Sequence, residues 1–124
     1  MATRNEVKRF LVEFKRLIDE PGGYIIRNHQ KTRTALLQLG WTNRNLTQEL
    51  RLLTVSDYSS GPNEDEYGRG DYWVFGKMIC RIEFYIKLQI RTQRGDDTAV
   101  CISFHPAEHP INAYPFRGTT VRQE

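Results

Sequence analysis

The run Phe84-Tyr85-Ile86-Lys87-Leu88-Gln89-Ile90-Arg91 alternates apolar and polar side chains. A β-strand here sends Tyr85, Lys87, Gln89 and Arg91 to one face and Phe84, Ile86, Leu88 and Ile90 to the other. Residues 99–105 alternate likewise, with Val100, Ile102 and Phe104 on one face and Ala99, Cys101, Ser103 and His105 on the other. A turn near Gly95-Asp96 pairs Arg91 with Ala99, Lys87 with Ser103 and Tyr85 with His105. Any slip that keeps both apolar rows in one core is by two residues, so the polar rows stay together. A phenol, an ammonium and an imidazole side by side suit phosphodiester chemistry on RNA. They supply a base for the 2′-hydroxyl, a cation for the crowded phosphate and an acid for the leaving 5′-oxygen. The same row also fits the plain wet face of a half-exposed antiparallel strand.

Other chemistry-bearing residues are sparse. His105 and His109 stand four apart, as a helical zinc pair would, but Pro106 between them disfavours a helix and other obvious ligands are absent. No metal or cofactor is expected. His29 lies in the basic stretch Arg27-Asn28-His29-Gln30-Lys31 and reads as a surface residue, while Trp41 and Trp73 read as core or loop anchors. Cys80 and Cys101 lack a C-x-x-C partner and read as reduced core residues. The sequence has no Gly-rich phosphate loop or nucleophile motif, which argues against an enzyme acting on small molecules.

The elements that must hold this row follow from periodicity. Thr3 and Glu6 have capping-box spacing, and Val7, Phe10, Leu11, Phe14, Leu17 and Ile18 recur every three or four residues up to Glu20-Pro21-Gly22-Gly23. That predicts an amphipathic helix, flanked by Lys8, Arg9, Lys15 and Arg16. Residues 24–30 read as a short strand or loop. A brief helix starts at Thr32 or Thr34 and stops at Gly40, and a third opens with an Asn45/Gln48 capping pair. Residues 57–71 read as a long polar loop. The β half begins with 72–75 and a turn at Gly76-Lys77, followed by strands at about 82–91 and 99–105. Pro106, Pro110 and Pro115 then break regular structure, and 117–124 read as a frayed tail.

The chain has 124 residues, 39% apolar and 11% aromatic, enough for one core that buries roughly two-thirds of the unfolded surface. The prediction is one α+β domain over residues 1–124: helices within about 3–55, a loop at 57–71, a small twisted antiparallel sheet within 72–105 and an irregular tail from 106. Eighteen Lys and Arg against 15 Asp and Glu give a charge of +3, a mild hint of an anionic partner such as RNA. No run approaches the ~18 apolar residues of a membrane span, and residues 1–6 lack the apolar stretch of a secretory signal. A cytoplasmic location without a membrane partner is expected.

Thr32-Arg33-Thr34-Ala35-Leu36-Leu37, Ser56-Asp57-Tyr58, Tyr85-Ile86-Lys87-Leu88 and Ile102-Ser103-Phe104-His105, in this order and spacing, resemble the MqsR family of toxins from bacterial type II toxin–antitoxin systems. The resemblance covers about residues 5–105. It implies a RelE-like α+β fold and a metal-independent endoribonuclease that cleaves messenger RNA and is neutralised by a cognate antitoxin. The family's strand tyrosine falls on Tyr85 and its adjacent lysine on Lys87. Its lysine after the Asp-aromatic-Tyr motif falls on Ser60, and its lysine after the Ser-Phe pair on His105. The family's glutamine at the start of the sheet would lie within 71–73, where this sequence has none. Imidazole is a competent replacement at 105, since it titrates near neutrality. Serine at 60 supplies no cation, which leaves Arg69, Lys77 or Arg81 to do so.

The expected catalytic set is therefore Tyr85, Lys87 and His105, with Gln89, Arg91, Arg69, Lys77, Arg81, Ser60 and Tyr58 as RNA contacts. The competing class is a binding module without catalysis, engaging RNA or a protein partner through the same sheet.

Overall fold

In the computed structural model, which describes residues 1–118, Thr3 and Glu6 close a capping box at the start of α1 (Arg4–Ile18). Thr3 Oγ1 accepts the Glu6 N–H, and Glu6 Oε1 accepts the Thr3 N–H. The helix buries the stripe Val7, Phe10, Leu11, Phe14 and Leu17. Helix α2 (Gln30–Leu39) starts earlier than its threonines suggest, because His29 is the cap: its Nδ1 accepts the Lys31 N–H at 3.2 Å. It ends at Gly40, whose φ of 70° is the left-handed turn that glycine adopts freely. Helix α3 (Asn43–Arg51) is capped by Thr42 with Asn45 Oδ1 accepting the Thr42 N–H, three residues ahead of the expected Asn45/Gln48 pair.

The strands are β1 (Tyr24–Ile26), β2 (Tyr58–Asn63), β3 (Tyr72–Ile79), β4 (Ile82–Gln93) and β5 (Asp96–Pro106), in the spatial order β1-β5-β4-β3-β2. All neighbours are antiparallel except β1, which runs parallel to β5 and makes the sheet mixed. The class is α+β, with the N-terminal helices packed on a sheet. One turn of 3₁₀ helix, Val55–Asp57, leads into β2. Strand β2 corrects the expected 57–71 loop, which shrinks to 64–71. Its Ser-Ser-Gly-Pro composition has no strand periodicity, and the ladder to β3 shifts register twice. Gly76-Lys77 is not a turn either. The chain reverses at Cys80-Arg81, with φ of 51° and 66°, a two-residue turn whose twist matches its strands.

The β4–β5 hairpin keeps Tyr85 opposite His105 and Lys87 opposite Ser103, then shifts register so that Leu88 faces Cys101 and Arg91 faces Thr98. The bulge turns Ala99 and Cys101 into the core. That corrects their expected place on the polar face and the Arg91–Ala99 pairing.

Helices α1 and α3 and the sheet's inner face close one core through Phe14, Leu46, Leu50, Phe75, Phe84, Ile86, Leu88 and Phe104. Each such side chain contributes roughly 1.5–3 kcal/mol by leaving water. Trp73 stacks on Phe10 at 4.5 Å and Trp41 packs near Phe104 at 6.4 Å. Both cysteines are free; Cys101 is buried, while Cys80 is exposed at the hairpin tip rather than in the core. Residues 107–117 fold back across the opposite sheet face. The expected frayed tail lies, from 119 onward, outside the described residues. Among the described residues no helix is long and apolar enough to cross a membrane.

Candidate active site

The sheet face turned away from α1 and α3 holds a cleft of about 630 Å³. Its floor is Tyr72 and Val74 of β3, Tyr85 and Lys87 of β4, and Ser103 and His105 of β5. Ser60 and Asn63 of β2 form one side, His29 and Lys31 at the start of α2 the other, and the returning segment from Ala107 to Asn112 closes the end.

The short β1 explains why His29 stands there. Pairing of β1 with β5 stops at Cys101. Beyond it, Thr32 Oγ1 of α2 accepts the Phe104 N–H at 3.1 Å and satisfies a buried donor that the edge would otherwise leave bare. That bond lays the N-terminal end of α2 against the end of β5. The His29 and His105 rings then lie 6.1 Å apart at 16°, and the Tyr85 ring stacks on His105 at 5.5 Å.

The two imidazoles are held in opposite tautomers. His105 Nδ1 is 2.8 Å from the Pro106 carbonyl, which only accepts, so Nδ1 carries the proton and Nε2 keeps its lone pair. His29 Nδ1 accepts the Lys31 N–H, so the proton of the neutral ring sits on Nε2. Partial burial, followed by the charges of Arg27, His105, Lys31 and Arg33, holds the His29 pKa below its ordinary value. Burial raises the Tyr85 phenol, which keeps it a hydrogen-bond donor. Lys87 Nζ rests 4.1 Å from the Tyr72 ring centroid, a cation–π contact that aims the ammonium along the floor.

The structure thus brings together Tyr85, Lys87, His105 and Ser60, and adds His29, which sequence reading places on the surface. The only local hint of His29 was its position before a helix, because the spatial partner lies 76 residues away at 105. Other expected contacts lie elsewhere. Gln89 is fully buried: the loop 64–71 covers it, and its Nε2 donates to the Gly70 carbonyl at 2.5 Å. Alternation placed it on the polar row correctly but could not foresee the cover. Arg91 is half-buried beside it, donating from Nε to Gln89 Oε1 at 2.6 Å. Tyr58 is also fully buried, with its hydroxyl accepting the Ala2 N–H and donating to the Gly61 carbonyl, so it presents no surface to RNA. Lys77 alternates onto the helix face and pairs with Glu49 at 2.8 Å. Arg69 is tied to Asp65 at 3.0 Å within the loop, and Arg81 sits at the hairpin tip. None of these three lines the cleft. As Pro106 leads one to expect, no helix joins His105 and His109: β5 runs to Pro106 and the chain after it is irregular. Among the described residues no group of three or more His, Cys, Asp and Glu comes together.

Compared with known proteins, the chain matches no family model, no curated protein and no solved structure.

Proposed function

We propose that this protein is a metal-independent endoribonuclease that cleaves messenger RNA in the cytoplasm, the toxin of a type II toxin–antitoxin pair restrained by a cognate antitoxin. The observation that carries the chemistry is the fixed tautomer of His105: a nearly buried imidazole whose Nε2 lone pair has no protein partner among the described residues, beside an ammonium and a phenol. The toxin and antitoxin parts rest on the likeness to the MqsR family in the short helix and the two strands.

In the reaction, His105 Nε2 takes the proton of a 2′-hydroxyl, and the 2′-oxygen forms a bond to the adjacent phosphorus. The P–O5′ bond breaks with its electron pair going to O5′, which takes a proton from the Lys87 ammonium. The products are a 2′,3′-cyclic phosphate and a 5′-hydroxyl. The Tyr85 hydroxyl and the Nε2–H of neutral His29 donate to the non-bridging oxygens, where charge builds up. A neutral histidine at a helix start is suited to donate without itself carrying charge. Acid–base groups of this kind contribute about 10²–10⁴ each.

The test incubates the protein and its Lys87→Ala variant with a long messenger RNA in EDTA and maps the ends. Discrete cuts ending in cyclic phosphate, reduced at least about 100-fold in the variant, support the reading. Retarded migration without new ends, with or without translating ribosomes, replaces it with the binding module.

A further inference from the structure

A second cavity of about 570 Å³ opens on the other side of the same imidazole pair, between α2 and the end of β5. It shares His29, Lys31, His105 and Glu108 with the cleft, so the two spaces meet at the proposed position of the reacting phosphate. A phosphodiester at that wall carries one nucleoside into each space.

The rest of this second lining is Gln30, Thr34, Ala35 and Gln38 of α2 and Pro106 of β5. Residues 30, 34 and 38 are four apart and stand in one row along the helix. Their side chains are exposed and make no hydrogen bond among the described residues, so two carboxamides and a hydroxyl remain available. Buried Ala35 and the ring of Pro106 supply apolar surface between them. A carboxamide presents a donor and an acceptor side by side, which complements the edge of a nucleobase. An apolar surface with a few convergent polar groups is what an unstacked base of single-stranded RNA requires. Lys31 in this lining is already paired with Glu108, which leaves the two carboxamides and the hydroxyl, rather than a free cation, to meet a ligand here.

We infer that the cavity lined by Gln30, Thr34, Gln38 and Pro106 is a base-recognition subsite for the nucleotide next to the scissile phosphate. This rests on the ribonuclease reading for the phosphate position, and the subsite sets which sequences are cut rather than how fast the bond breaks.

The experiment uses the full chain and the Gln30→Ala/Gln38→Ala double variant, at exposed helical positions where alanine favours the helix. Cleavage maps of one long messenger RNA and fluorescence anisotropy with four uncleavable 2′-O-methyl oligoribonucleotides, each of a single base, are recorded for both. The wild type is expected to favour one base next to its cuts and to bind the matching oligonucleotide about tenfold more tightly. The variant is expected to cut as fast at disfavoured sites while losing that preference, since a bidentate contact carries roughly this much discrimination. Cutting with the base preference unchanged in the variant overturns the subsite and leaves the ribonuclease standing. Absence of cutting with and without translating ribosomes, together with base discrimination that the variant loses, overturns the ribonuclease and supports the subsite as part of a binding module. A wild type that cuts neither free nor translated RNA and does not discriminate overturns both.

Discussion

His29 and His105 carry the same side chain but differ in what each Nδ1 touches: a backbone N–H in one case, a carbonyl in the other. The cap bond of His29 exists only while the ring is neutral. Its pKa is lowered from 6.5 by burial first and then by Arg27, His105, Lys31 and Arg33; Glu108 on the facing segment is already paired with Lys31. The unfolded chain therefore binds more protons at this residue than the folded one, so stability rises with pH here. The contribution is lost as pH falls from about 6.5 toward the lower folded value. In the His29→Asn variant, which keeps a good cap, chemical denaturation between pH 5 and 8 should show a flatter stability profile than wild type. RNA cutting should fall about tenfold or more at neutral pH. An equal slope in both proteins would remove the neutral cap, and undiminished cutting would remove His29 from phosphate binding.

At the scale of elements, the periodic segments were legible and the tertiary ones were not. The α1 stripe and the β4 alternation follow from single-element patterns with periods of 3.6 and 2. Strand β2 does not, because Ser59, Ser60, Gly61 and Pro62 owe their extension to pairing with β3. The Ile102 bulge and the loop lying on Gln89 also depend on contacts distant in sequence. Gly76 shows the difficulty: it reads as a turn, yet it lies mid-strand opposite Tyr85, and glycine stands there because a Cβ would collide with the Tyr114 hydroxyl and the Ile111 side chain. The returning segment is fixed across Gly76 by Glu83, whose carboxylate accepts the Ile111 N–H at 2.9 Å and the Tyr114 O–H at 2.7 Å. Those two bonds hold the Glu83 carboxyl below its ordinary value. Gly76→Ala, in extended backbone that alanine tolerates, should therefore displace Tyr114 while sparing the core. Hydrogen exchange should rise across 107–117 and stay unchanged in α1 and β4; unchanged protection of the segment would contradict its docking over Gly76.

For the whole molecule, the small net charge of +3 combines cations that are paired with carboxylates and cations that are not. On the helical side Arg16 bonds Glu13 and Glu20, Arg51 bonds Asp19, and Lys77 bonds Glu49, while Lys8, Arg9 and Arg44 have no carboxylate partner among the described residues. Around the open sheet face, Arg27, Lys87 and Arg91 have no carboxylate partner among the described residues. Burial first, and then Arg69, holds the Arg91 guanidinium below its ordinary value against the opposing charge of Asp65, which pairs with Arg69, and Arg27 adds to the lowering. Such a field attracts a phosphate backbone whatever its sequence, through release of counterions. The affinity for single-stranded RNA should fall steeply with salt. Arg27→Gln and Arg91→Gln should each lower the slope of log K against log salt by about 0.7 without altering base preference, whereas Arg51→Gln on the helical side should leave it in place. Anisotropy titrations of an uncleavable oligoribonucleotide from 50 to 300 mM KCl, a range of about 2.4-fold in screening length, separate these outcomes. Equal slopes in all four proteins would mean that the open face does not carry the RNA, and the cleft would then have to receive a ligand that brings no phosphate backbone with it.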